Sequence, residues 1–154
     1  MSKVVEDTRY RFRADFPGVM TDKVEEFDSR DGALAWRLYT SRSPDGQRGV
    51  SYTATVKVFE TDTTDARQLF QAGESDATQS IGATLIGRED GAFGVDKLPS
   101  RTLTYQSGTG AGMLKGKVLL IVKDQRLYVV TFYFSGSDQT AVSTTFFQSF
   151  EILK

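Results

Sequence analysis

The chain has 154 residues, of which 39% are hydrophobic and 25% charged, so we expect residues 1–154 to form a single globular domain. Its 19 basic and 20 acidic side chains give a net charge of −1, a balance that argues against nucleic acid as a partner. Cys, His and Asn do not occur, which excludes disulfides, thiolate nucleophiles, Ser-His-Asp triads, imidazole metal ligands and N-glycosylation.

Alternating hydrophobic residues predict three strands within the first sixty positions. The first strand covers residues 9–16 and ends at Pro17-Gly18, and the next two, at 33–41 and 49–60, form a hairpin around a Ser-Pro-Asp-Gly turn. The inward face of the first strand carries Tyr10, Phe12, Ala14 and Phe16. Its other face carries a stripe of arginines at Arg9, Arg11 and Arg13. We interpret this stripe as solvated or paired with carboxylates.

The hydrophobic period changes after residue 60. Small or apolar residues then recur at spacings of three and four, at Ala66, Leu69, Phe70, Gly73 and Ala77. This spacing predicts an amphipathic helix that follows N-cap oxygens at residues 62–64 and ends near residue 80. A strand at 83–89 leads into a glycine-containing loop over residues 90–95.

Three further strands and a second helix complete the pattern. The strands cover residues 100–106, 114–123 and 126–134, and the last two are apolar on both faces, so we expect them in the middle of a sheet with cover on each side. The second helix is capped by Ser137 or Asp138. This order predicts an α+β fold with a central antiparallel sheet flanked by helices on both faces, an α/β/α sandwich.

A glycine-rich segment precedes the strand at 114–123 and invites comparison with a phosphate-binding loop. The interval from Gly110 to Gly116-Lys117 is one residue too long for that motif, Val118 replaces its hydroxyl residue, and a strand follows where the motif requires a helix. We therefore interpret residues 107–114 as a flexible hairpin loop. Such a loop suits contact with a partner, and the glycines that we assign to this contact are Gly108, Gly110 and Gly112.

The remaining candidate residues give weaker signals. Trp36 shares its strand face with core residues, so Arg37 and Tyr39 on the opposite face form a candidate recognition surface. The acidic residues near Glu25 and Glu89 show neither the spacing of a glycosidase pair nor the order of a calcium loop. No Ser-x-x-Lys motif occurs. The sequence thus predicts no catalytic residue, no metal site and no cofactor.

The order of elements resembles that of a known superfamily. The segments that carry the resemblance are Phe16-Pro17-Gly18, Leu69-Phe70, the stretch from Leu98-Pro99 to Thr104-Tyr105, Arg126-Leu127-Tyr128 and Phe147-Gln148-Ser149-Phe150. The chain is similar along nearly its whole length to the PsbP-like superfamily, which includes extrinsic photosystem subunits, Ran-binding import factors and many bacterial proteins. The resemblance implies an antiparallel sheet sandwiched by helices and an accessory or protein-binding role.

We therefore expect a non-enzymatic module that binds another protein through a sheet face or through the loops at residues 90–95 and 107–114. A carboxylate-dependent hydrolase and a carrier of a small apolar ligand, held in a cavity lined by some of the 11 phenylalanines, stay as alternatives. No segment of the sequence is apolar enough to span a membrane. The compartment is extracytoplasmic (periplasmic or lipid-anchored) if a signal segment precedes Met1 in the native protein, and cytoplasmic otherwise.

Overall fold

The computed structural model describes residues 2–20, 25–28, 33–43, 50–61, 65–108, 113–136 and 139–153. In these ranges the chain forms strands and helices in the order β1 (Ser2–Asp7), β2 (Phe12–Pro17), β3 (Val19–Met20), β4 (Glu25–Asp28), β5 (Ala33–Arg42), β6 (Val50–Thr61), α1 (Ala66–Ile81), β7 (Thr84–Phe93), β8 (Leu98–Ser107), β9 (Leu114–Lys123), β10 (Arg126–Gly136), α2 (Thr140–Ser149) and β11 (Glu151–Ile152). Neither helix in these ranges has the length and apolar character needed to cross a bilayer.

The strands form two antiparallel sheets. The main sheet has the order β3-β5-β6-β10-β9-β8-β7, and β4 pairs with β5 on the same side as β3. The small sheet has the order β1-β2-β11. Gly18 links β2 to β3 with φ +75°, and a side chain there would meet the backbone oxygen of Arg42, so only glycine fits where the chain passes from one sheet to the other. The predicted α+β class and antiparallel sheet are confirmed.

The two central strands of the main sheet are buried on both faces, as their sequence predicts. On β10, Leu127 and Val129 face a core formed with α1, whereas Tyr128, Val130 and Phe132 face a second core. Strand β9 alternates in the same way. Because water reaches neither face, apolar residues occupy both parities, and a single alternating stripe does not appear in these strands.

The layers that cover the main sheet differ from a plain α/β/α sandwich. Helix α1 covers one face, and the small sheet together with α2 covers part of the other, where α2 packs against β2 and β10. The predicted arrangement, with helices as the flanking layer on each face of the main sheet, is therefore not confirmed. The predicted alternation in the first strand is confirmed, since Tyr10, Phe12, Ala14 and Phe16 are fully buried. Tyr10 lies in the turn that precedes β2.

Aromatic rings fill the core beneath the small sheet. Phe12 stacks on Phe150 at 5.8 Å between ring centroids, and Phe146 lies 5.4 Å from Phe16 and 6.2 Å from Phe132. Such ring separations are those of packed aromatic pairs. Many of the phenylalanines in the sequence therefore pack between the two sheets.

Helix α1 has well-defined ends and packs closely against the main sheet. The carboxylate of Asp65 accepts hydrogen bonds from the backbone N–H groups of Arg67 and Gln68, and Gly82 ends the helix with φ +71°. Residues 62–64, which were predicted as the cap, lie outside the described residues, as do Ser137 and Asp138 before α2. At Gly73 an added Cβ would lie 3.0 Å from a methyl carbon of Leu120, so the helix approaches β9 closely.

The region after α1 departs from the predicted pattern. Strand β7 runs from Thr84 to Phe93, so the loop predicted over residues 90–95 is wrong for its first four positions. Only residues 94–97 form the turn, with positive φ at Gly94 and Lys97. The glycines at positions 91 and 94 suggested a loop, but Gly91 lies opposite Ser100 in a regular β pair. Cross-strand pairing with β8 overrides the weak strand propensity of this segment.

Candidate functional site

The first polar cluster surrounds Asp7 at the end of β1 and lies between the small and the main sheet. The Asp7 side chain is almost fully buried. One carboxylate oxygen accepts hydrogen bonds from the backbone N–H groups of Arg9 and Tyr10, both at 2.9 Å. The other accepts from the Tyr39 hydroxyl at 2.7 Å and from Arg37 Nη1 at 3.0 Å. Asp7 therefore ties the β1–β2 turn to β5.

The pKa values in this cluster follow from burial and hydrogen bonding. Burial alone would raise the pKa of Asp7, but the hydrogen bonds from Tyr10, Tyr39 and Arg37 hold that pKa below its usual range. Burial and the hydrogen bond to Asp7 together raise the pKa of Tyr39 to about 12. Asp7 is thus ionised and Tyr39 protonated at neutral pH.

The ring of Tyr10 stacks with arginine side chains in this cluster. The guanidinium carbon of Arg37 lies 4.9 Å from the centroid of the Tyr10 ring, and those of Arg9 and Arg126 lie at 5.1 and 5.9 Å. Arg9 also approaches Glu60 at 3.7 Å. We name the group of Asp7, Tyr10, Arg37 and Tyr39 the interior network, because its hydrogen bonds and ring contacts join two sheets.

The sequence-predicted site residues are not brought together. Arg37 and Tyr39 belong to the interior network, and the Tyr39 side chain is only 8% exposed, so the face that carries them is covered rather than open. Gly108 is exposed at the end of β8 with φ +77°, while Gly110 and Gly112 lie outside the described residues. A role of these five residues in partner contact stays a prediction.

A second polar cluster lies on the other side of the main sheet, between α1 and the β7–β8 hairpin. It lines a surface pocket of about 390 Å³ formed by Arg67, Gln71, Glu74, Arg88 and Arg101. The first three come from α1 at positions i, i+4 and i+7, which places them along one face of the helix. The other two come from β7 and β8. We name this the arginine pocket.

Carboxylates orient two of the three guanidinium groups in the arginine pocket. Arg88 donates from Nε and Nη2 to the two oxygens of Glu74, both at 2.7 Å. Arg101 donates in the same way to Asp90, its direct cross-strand partner, at 2.6 and 3.3 Å. The Arg101 guanidinium also lies 5.2 Å from the centroid of the Phe70 ring. Two-point hydrogen bonding and ring stacking fix the planes of these groups.

The electrostatics of the arginine pocket do not suit general acid catalysis. The hydrogen bonds from Arg88 hold the pKa of Glu74 below its ordinary value, and those from Arg101 do the same for the pKa of Asp90. A carboxyl group that acts as a general acid near neutral pH needs a raised pKa. Within the described ranges, no three carboxylates gather in a way that would hold a metal ion.

The β7–β8 hairpin next to the arginine pocket exposes apolar side chains. Val95 in the turn is 92% exposed, and Ile86 on β7 is 58% exposed. Strand β7 is the last strand of the main sheet, and in the described part of the chain it pairs only with β8. A bulge between Leu85 and Gly87 interrupts that pairing. The hairpin therefore combines an open strand edge with exposed apolar side chains.

Sequence reasoning missed the arginine pocket. One usable signal was the spacing of Arg67, Gln71 and Glu74 on the polar face of the predicted helix. The alternation of Arg88 and Asp90 on one strand was another. Neither signal fixes which strand lies beside the helix, since that depends on a cross-strand register set by the whole sheet.

The fold of this chain can be compared with those of known proteins. No protein family model matches the sequence, and no curated protein sequence matches it. Among solved structures, cyanobacterial PsbP (CyanoP) from Synechocystis sp. PCC 6803 matches 98% of this chain and 92% of its own length, with a TM-score of 0.55 and 16% identity. The chain has the PsbP-like fold.

A second protein shares the PsbP-like fold at similar distance. The Ran-binding protein Mog1p from Saccharomyces cerevisiae matches the whole of this chain and 96% of its own length, with a TM-score of 0.51 and 14% identity. At such identities the likeness concerns the fold alone, and the superfamily resemblance expected from the sequence is confirmed at that level.

Proposed function

We propose that this chain is a non-enzymatic accessory module that binds another protein through its β7–β8 hairpin. The observation that carries the proposal is that an edge hairpin bordering the arginine pocket exposes two apolar side chains, Ile86 near the start of β7 and Val95 in the turn after it. Exposed apolar side chains beside arginine are typical of contact surfaces between proteins. An edge strand also offers backbone N–H and C=O groups to an added strand.

The fold comparison supports the same role. One protein with this fold is described as Ran-binding, and another is a PsbP protein. A shared fold does not transfer a partner, so the contact surface is argued from this chain's own residues. The aromatic packing described above and the arginine-paired carboxylates favour a binding module over a ligand carrier or a carboxylate-dependent hydrolase.

Site-specific photo-crosslinking in cells of the source organism tests the proposal. A photoreactive phenylalanine analogue at Val95 should give a discrete protein adduct, and the same analogue at Val4 should not. Val4 is a matched control because it is also exposed but lies on β1 of the small sheet. The additional substitution Ile86→Lys should weaken the Val95 adduct, because it places a charge at the other end of the proposed contact surface along β7. Equal adducts from both positions, or none from Val95, would contradict the proposal.

A further inference from the structure

The arginine pocket has more hydrogen-bond donors than its own carboxylates use. A guanidinium group carries five N–H donors. Arg88 and Arg101 each use Nε and one Nη2 donor for their carboxylate partner, so the Nη1 edge of each group is not taken up by that pair. The amide of Gln71 adds further donors to the lining. The pocket can therefore accept another oxygen ligand without breaking either ion pair.

The charges around the pocket leave one positive charge in excess. Three guanidinium groups face only two carboxylates, Glu74 and Asp90. Arg67 supplies the excess, since it is exposed and forms no ion pair with the described part of the chain. A single negative charge would balance the site. A dianion would be repelled by the two carboxylates that already hold Arg88 and Arg101.

The donors are also arranged in advance of binding. The two carboxylate pairs and the Phe70 ring fix the planes of Arg88 and Arg101, so little side-chain entropy is lost when a ligand binds. The volume of about 390 Å³ accommodates a side chain, and the pocket lies beside the hairpin proposed to contact a partner. Planar guanidinium groups match the geometry of a carboxylate.

We propose that the arginine pocket binds the side-chain carboxylate of a glutamate or aspartate on the partner protein. This inference rests on the proposed protein-binding function and assigns the chemistry of the group recognised beside the hairpin. The partner surface then combines apolar residues opposite Val95 and Ile86 with an acidic residue opposite Arg67.

Nuclear magnetic resonance titration with the blocked tripeptide acetyl-Gly-Glu-Gly-amide tests this assignment. The arginine Nε–H signals of Arg88 and Arg101 should shift and saturate with a dissociation constant of roughly millimolar order, as expected for one charged contact. The matched glutamine tripeptide should leave these signals unchanged at equal ionic strength. Inorganic phosphate should bind more weakly than the glutamate tripeptide.

Two arginine variants separate the local site from general charge attraction. Arg67→Gln should weaken glutamate-tripeptide binding about five-fold, since it removes the excess charge of the pocket. Arg42→Gln removes one exposed arginine on β5, between β3 and β6 in the part of the main sheet far from β7, and should change binding less than two-fold. Equal weakening by both variants, equal binding of the glutamine tripeptide or tighter binding of phosphate would overturn the assignment.

The outcome can be separated from that of the proposed function. If the glutamate tripeptide fails to bind while the Val95 adduct persists, the pocket assignment is wrong and the protein-binding role stands. If the tripeptide binds as expected while no Val95 adduct forms, the pocket is a carboxylate site and the hairpin is not a partner surface.

Discussion

An arginine, an aspartate and an aromatic ring come together both in the interior network and around Arg101 of the arginine pocket, buried in the first case and partly exposed in the second. Each pairs an arginine with an aspartate and stacks that arginine on an aromatic ring, Arg37 with Asp7 and Tyr10 in one case and Arg101 with Asp90 and Phe70 in the other. Asp7 is almost fully buried, whereas the Asp90 side chain is 62% exposed.

The difference in burial decides what each group can do. Both oxygens of Asp7 are occupied by four donors from the protein, so this carboxylate is committed to joining the two sheets. In the arginine pocket, water covers part of each ion pair, and donors stay available to an incoming group. The same residue chemistry is therefore structural in one place and available for recognition in the other.

The largest expected effect separates the two aspartates. Asp7→Ala should lower the free energy of unfolding by about 3 kcal/mol, because it leaves the largely buried Arg37 and the Tyr39 hydroxyl without their acceptor. Asp90→Ala should lower the urea midpoint much less, because the Asp90 carboxylate is 62% exposed and water can take its place beside the Arg101 guanidinium. Urea unfolding followed by circular dichroism measures both variants. Similar losses in the two would contradict the contrast drawn between them.

The next effect concerns the Tyr39 hydroxyl. Tyr39→Phe should lower the free energy of unfolding by about 1.5 kcal/mol at neutral pH, which is the usual contribution of a hydrogen bond to a charged group. The unfolded chain releases the phenolic proton near pH 10, whereas the folded chain keeps it until about pH 12. This contribution is therefore complete below pH 10 and is lost as the pH rises to 12.

Unfolding experiments from pH 7 to pH 12 check this prediction. The difference in unfolding free energy between the wild type and Tyr39→Phe should be constant up to about pH 9 and should narrow above pH 10. A difference that persists unchanged through pH 12 would show that the pKa of Tyr39 is not raised in the folded chain.

The smallest effect concerns an ion pair of the arginine pocket. Glu74→Gln should lower the free energy of unfolding by only about 0.5 kcal/mol at low salt, because the ion pair that Glu74 forms with Arg88 is partly exposed. In 1 M NaCl, where the screening length is about 3 Å, this cost should vanish, while the cost of Asp7→Ala should persist. Thermal unfolding at two salt concentrations measures both. Retention of the Glu74→Gln effect at high salt would mean that this pair is shielded from solvent like the interior network.

Local sequence patterns were sufficient for most of the fold. Strict alternation identified the buried face of β2, and spacings of three and four identified α1, because in both cases one face meets water and the other meets the core. The pattern did not reveal β1, where Val4 and Val5 are adjacent and flanked by charged residues rather than alternating. Pairing with β2 supplies what its own sequence does not specify.

The candidate sites were less predictable because they depend on contacts between distant segments. On β5, Arg37 and Tyr39 were expected on an open face, since Trp36 and its parity partners were assigned to the core. The small sheet covers that face, and the sequence of β5 alone does not show that β1 and β2 pack against it. The arginine pocket likewise requires Arg88 and Arg101 to meet Glu74 across three elements.

The small sheet has a consequence for the order in which the chain can fold. Strand β11 pairs with β2 through Glu151 and Arg13, residues separated by most of the chain, whereas the β7–β8 and β9–β10 hairpins close over short loops. Closing a long loop costs more chain entropy and slows the step that depends on it. During synthesis β11 can join β2 only after residues 151–152 have left the ribosome, so we expect the small sheet to be completed after the two hairpins.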